Sequence, residues 1–77
     1  MEELVRTLAA SLVEHPDAIA VRTLDGEAGE TVIELRVAPD DMGKVIGKQG
    51  RIAKAIRVVV KAAAIKENKK VTVEIVQ

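Results

Sequence analysis

The stretch Val45-Ile46-Gly47-Lys48-Gln49-Gly50-Arg51-Ile52-Ala53-Lys54-Ala55-Ile56 decides how the rest of the chain is read. Gly47 and Gly50 stand three positions apart, with apolar residues at helical spacing on either side. A junction that tight between two helices needs backbone angles that residues with a Cβ resist, and glycine also lets another backbone come close. The second helix starts here, so its free N–H groups and positive dipole end face out of the junction. Lys48, Arg51 and Lys54 add formal charge, and Lys44 precedes them. The chemistry on offer is anion binding, with a phosphodiester as the natural anion. Taken alone, the same spacing also describes a plain αα-turn with a glycine hinge.

The surroundings of this loop follow from periodicity. After it, a long helix is predicted from about Arg51 to Lys66, then a polar loop Glu67-Asn68-Lys69-Lys70. Residues 71–76 alternate Val71, Val73 and Ile75 against Thr72 and Glu74, the period of a strand. Before it, Pro39-Asp40-Asp41 stops a strand and is expected to cap a short helix over 41–46. That strand, residues 30–38, is the clearest of all: Thr31, Ile33, Leu35 and Val37 point one way, Glu34 and Arg36 the other. Asp25-Gly26-Glu27-Ala28-Gly29 is turn material, and a shorter strand at 18–24, with Ile19 and Val21 on one face, completes a hairpin. Residues 2–14 carry Leu4, Val5, Leu8, Leu12 and Val13 at helical spacing, and His15-Pro16 should end that helix. The order is helix, strand, strand, helix, helix, strand. It predicts an α+β domain, one sheet covered by helices.

Seventy-seven residues suffice for one small domain with a modest core. Apolar residues make up 48% and charged residues 31%, a globular balance. Without cysteine there is no disulfide and no thiolate metal site, which fits a reducing cytoplasm. No run is long enough to cross a membrane, and the acidic, amphipathic N-terminus is unlike a signal peptide. Net charge is zero but polarised. Residues 1–41 hold ten acids and three bases, whereas residues 42–77 hold nine bases and two acids. A local basic surface is what a phosphate backbone responds to, although such charges can also simply mix once the chain folds.

The segment from Val45 to Ile56 resembles the signature of KH domains, in which an apolar-Ile-Gly-x-x-Gly run joins two helices inside a strand–helix–helix–strand core. The extra helix and strand lie N-terminal to that core, as in the type II, prokaryotic arrangement. Chain length and the run Val60-Lys61-Ala62-Ala63-Ala64 look specifically like the small bacterial single-KH KhpA family. Ala53 departs from the larger aliphatic common at its position. The resemblance implies a type II KH domain, α-β-β-α-α-β, with a three-stranded mixed sheet covered by helices. It would span residues 1–77, with a core over 30–76 and the N-terminal helix and strand over 2–24.

It also implies a mechanism, in which the loop clamps the sugar-phosphate backbone of about four nucleotides of single-stranded RNA. By carry-over, Gly47 and Gly50 permit close approach, Lys48 supplies charge and Gln49 bonds a phosphate or sugar. Arg51, Lys44 and Lys54 add charge, and Ile46 and Ile52 line an apolar groove floor or else belong to the core. Lys69 and Lys70 frame the groove's other side or are solvated. The implied role is a cytoplasmic post-transcriptional regulator or RNA chaperone linked to cell growth and division, with no cofactor.

Composition gives an independent check. With no Phe, Tyr or Trp, modules that stack bases on aromatics are disfavoured. A backbone clamp survives that test, with modest affinity, strong salt dependence and little sequence selectivity.

The long helix carries a second signal. Its apolar residues span roughly 260° of arc, far more than one buried face needs. Ile52, Ile56, Val59 and Ala63 are expected against the sheet, while Lys54, Arg57 and Lys61 take the remaining arc. Ala55, Val58, Ala62 and Ile65 form a further stripe, covered either by the N-terminal helix or by a partner. The partner reading predicts a homodimer, and the resemblance adds pairing with a larger KH-containing protein.

Rival functions are weaker. His15 is expected to cap, Ser11 has no nearby base, and Asp40-Asp41 reads as a cap rather than a metal site, so neither catalytic nor metal residues are assigned. Gly43 to Gly47-Lys48-Gln49 is one residue short of a P-loop and lacks its hydroxyl. The remaining alternative is a protein-interaction scaffold that binds RNA little or not at all.

Overall fold

The computed structural model describes residues 1–77. Its elements run α1 (Glu2–Ala10), β1 (Ala20–Asp25), β2 (Thr31–Arg36), α2 (Met42–Ile46), α3 (Arg51–Lys66) and β3 (Val71–Val76), with 3-10 turns at Pro16–Ala18, Pro39–Asp41 and Lys48–Gly50. The predicted order and the α+β class both hold. The sheet has the order β1-β2-β3, with β1 antiparallel and β3 parallel to β2. A parallel neighbour requires a crossover, and α2, the glycine loop and α3 form it.

One face of the sheet is packed and the other open, as strand alternation dictates. Ile33 and Leu35 of β2 and Val73 of β3 are buried against Val5 and Ala9 of α1, Val45 of α2, and Ile56 and Val60 of α3. Ile33 pairs with Val73 across the parallel ladder, and Arg22 with Glu34 across the antiparallel one. The latter pair lies on the open face and is joined by a 2.8 Å ion pair.

The ends of elements differ from expectation, and one residue explains the largest difference. α1 stops at Ala10 rather than 14. The Leu12 and Val13 N–H groups both turn back to the Ala9 carbonyl. The next two N–H groups, of Glu14 and His15, donate to the Asp41 carboxylate at 3.1 and 3.0 Å instead of continuing the helix. Asp41 therefore does not cap α2 with its side chain, contrary to the sequence reading. It is the one buried charged residue, fully removed from solvent, and it ties the end of α1 to the start of α2. His15 makes no side-chain cap either; only its backbone is used. β1 starts two residues late because Pro16–Ala18 form a turn, although Ile19 just before it is buried.

On α3 the buried face is Ala53, Ile56, Val60 and Ala64. That is one residue further round than expected: Val59 is 44% exposed, and Ile52 and Ala63 are half-buried. Ala55, Val58, Ala62 and Ile65 are all exposed, Val58 by 63% and Ile65 by 66%. α1 does not cover them.

Candidate nucleic-acid interface

The loop between α2 and α3 is built from backbone conformations that the sequence had to supply. Gly47 has φ 76° and ψ 173°, and Gly50 has φ 75° and ψ 14°. A Cβ on Gly47 would meet the Ile52 side chain, whereas one on Gly50 would stand in open space. Gly47 is thus required by both conformation and room, Gly50 by conformation alone. Between them Gln49, which has a Cβ, sits at φ 58° and ψ 25°, a left-handed conformation costly for such a residue. The Gly50 N–H closes the turn on the Gly47 carbonyl at 3.1 Å.

The result is a sharp projection in which Lys48 and Gln49 are both exposed. Arg51 reaches back to Gln49 Oε1 at 3.3 Å. Lys48, Arg51 and Lys54 have no acidic partner within ion-pair distance. Uncompensated charge beside the N-terminus of a 16-residue helix is what an anion requires.

Lys44 differs from these. Its ammonium lies 2.7 Å from the Glu14 carboxylate and 3.7 Å from Asp41. The hydrogen bond from Lys44 holds the Glu14 carboxyl below its usual range, and the same contact holds the Lys44 ammonium above its own. Burial pushes the Asp41 carboxyl up, but the Glu14 and His15 N–H groups outweigh it and leave the group below its usual value. Lys44 thus serves the joint between α1 and α2.

Ile46 is 36% exposed on α2. Ile52 packs beside Gly47 and lines a small cleft with Leu8 of α1 and Leu12 just beyond that helix. The groove with cationic walls lies instead between α3 and β3. It encloses about 320 Å³ and is lined by Arg57, Lys61 and Ile65 of α3, Lys69 and Lys70 of the following loop, and Val71 to Val73. Within it the Arg57 Nε–H donates to the Val73 carbonyl at 3.2 Å. Arg57 and Lys61 were not among the expected site residues. The charged arc Lys54–Arg57–Lys61 was visible in the sequence, but not that β3 lies along it. A larger cleft, of about 820 Å³, opens between the start of α1 and Lys69–Val71. It carries Glu2 and Glu3 as well as Lys69 and Lys70 and has no excess of one charge.

Comparison with known proteins gives consistent matches. A family model described as KhpA/KhpB, KH domain, matches residues 2–75. A protein of Clostridium acetobutylicum named RNA-binding protein KhpA is 62% identical over 99% of this chain and its own full length. The protein of that name from Clostridium perfringens is 64% identical over 99% of this chain and 100% of its own. That from Listeria monocytogenes is 44% identical over the whole of both. Among solved structures, an Aquifex aeolicus Era variant bound to GDP.AlF4- superposes with a TM-score of 0.65 and 28% identity. Era in complex with MgGDPNP and nucleotides 1506-1542 of 16S ribosomal RNA gives 0.60 and 28%. Each superposition covers 96% of this chain and only 28% of Era.

Proposed function

The chain belongs to the KhpA/KhpB KH-domain family, and from that premise we propose that it is a single-stranded RNA-binding protein that grips the RNA backbone with Gly47 to Gly50. That family is not a family of enzymes. The observation that carries the reading is the loop itself: Gly47, Gln49 and Gly50 at positive φ, projecting Lys48 beside unpaired Arg51 and Lys54. The names of the full-length relatives support RNA as the ligand. One module without aromatics binds weakly, mainly through charge, and with little overall sequence selectivity. Residues 1–77 act as one unit. Their proposed setting is the cytoplasm, as a regulator or chaperone of RNA in growth and division.

The exposed stripe Ala55, Val58, Ala62 and Ile65 supports a homodimer through α3. Small alanines let two helices approach closely, and two loops on one particle would gain avidity. A family model written for both KhpA and KhpB supports a second partner, a larger protein with its own KH domain.

Fluorescence anisotropy on labelled single-stranded RNA tests the clamp. Lys48→Asp/Gln49→Asp should abolish measurable binding while the circular dichroism melt stays that of a folded protein. Equal binding by wild type and variant would end the clamp assignment. Absence of binding by the wild type would favour a scaffold that works only through protein contacts.

A further inference from the structure

We propose that Arg57 is the base-reading residue of the groove beside β3, and that it selects guanine over adenine. This rests on RNA occupying that groove from the loop onward. β3 is an edge strand. The Lys70 carbonyl accepts the Thr31 N–H, and Thr31 is in register with Val71. By the alternation of a parallel ladder, Val71, Val73 and Ile75 therefore turn their own N–H and C=O groups outward, into the groove. Arg57 meets that edge, with its Nε–H on the Val73 carbonyl.

This one bond restrains the guanidinium and leaves its two terminal NH2 groups without a protein acceptor. Arg57 forms no ion pair and no other hydrogen bond. Its groove neighbours Lys61, Lys69 and Lys70 are cations, and no acid lines the groove. Arg57 is exposed, so solvent satisfies these groups in the free protein and a ligand with acceptors in the same plane can take its place. A planar fork of donors matches the O6 and N7 atoms of guanine. Adenine presents an amino group where guanine has O6, so donor would face donor. The lysines, as flexible point charges, suit phosphates rather than a base edge.

Position along the helix agrees. Arg57 is seven residues beyond Gly50, about 10 Å at the helical rise. A strand held at the loop reaches that far within its next few nucleotides. Val71 gives the base apolar surface.

The test uses labelled octauridylates carrying one central guanine, adenine or 7-deazaguanine, read by anisotropy. Wild type should bind the guanine RNA about tenfold tighter than the adenine RNA, and 7-deazaguanine, which lacks N7, should fall toward the adenine level. Arg57→Lys keeps the charge and loses the fork, so it should bind all three alike with an unchanged salt slope. The 7-deaza arm alters only the RNA and stands even if the variant folds poorly. Equal binding of guanine and adenine by wild type, or a preference that survives in Arg57→Lys, overturns the proposal. If Lys48→Asp/Gln49→Asp binds as well as wild type while Arg57→Lys loses the preference, the clamp fails and the base reading stands. Failure of wild type to bind any of the RNAs overturns both.

Discussion

A Cβ built on Gly47 would stand 2.3 Å from Cγ1 of Ile52 and 2.9 Å from its backbone nitrogen. The flexible side chain could move aside; the nitrogen is part of the first turn of α3 and cannot. Gly50 faces no such neighbour. The two glycines of the loop are therefore unequal. Gly47→Ala should cost about 2–4 kcal/mol, the sum of overpacking and left-handed strain, and Gly50→Ala about 1 kcal/mol from strain alone. Urea unfolding of the two variants checks this. Equal losses would mean that the loop relaxes around the new methyl.

Acid stability should depend on the joint between α1 and α2. Asp41 and Glu14 are both held below their usual carboxyl range. A group lowered in this way stabilises the fold above its unfolded pKa, and that contribution is lost as pH falls through the folded value. Thermal stability should thus be level near neutrality and fall below about pH 4.5. Lys44 is held above its usual range, so its contribution is complete at neutral pH and disappears only as pH rises through that raised value. Asp41→Asn keeps the shape but turns an NH2 toward a backbone N–H, and should lower Tm at pH 7 by about 5–10 °C. It should also flatten the acid limb. Thermal melts of both proteins from pH 3 to 8 provide the measurement, and parallel acid limbs would count against Asp41.

Lys44 and Lys48 are four residues apart and should behave differently toward RNA. Lys48 has no acidic partner, whereas Lys44 is 2.7 Å from Glu14. A cation that neutralises a phosphate of single-stranded RNA contributes about 0.7 to the slope of log affinity against log salt. Lys48→Gln should lower the slope by that amount, and Lys44→Gln should leave it unchanged. Equal drops would show that RNA draws Lys44 away from Glu14.

The order of elements was legible because alternation marked β2 and β3 and the glycines marked the junction of α2 and α3. The glycine pair and Lys48 were legible for the same local reason. What escaped depends on contacts distant in sequence. α1 ends early because Asp41, 26 and 27 residues away, takes the His15 and Glu14 N–H groups. Nothing near Ala10 signals this. The buried face of α3 was one residue off because apolar residues surround most of that helix, so periodicity does not choose between Val59 and Val60. Arg57 gains its meaning from the free edge of β3, which is defined only by the strand order.

That same apolar excess on α3 supplies the last prediction. Val58 and Ile65 are exposed by 63% and 66%, with Ala55 and Ala62 on the same side. Such a stripe loses water contact if a second copy lies against it, at roughly 25 cal/mol for each Å² covered. The wild type should therefore sediment as a dimer at protein concentrations of tens of micromolar. Val58→Asp places a charge at the centre of the stripe and should give a monomer. Because Val58 touches none of the buried core, that variant should keep the wild-type helical signal and melt cooperatively. Its RNA affinity should fall as well, since two loops no longer act together. A wild-type monomer at those concentrations, or a Val58→Asp dimer, would remove α3 as the interface.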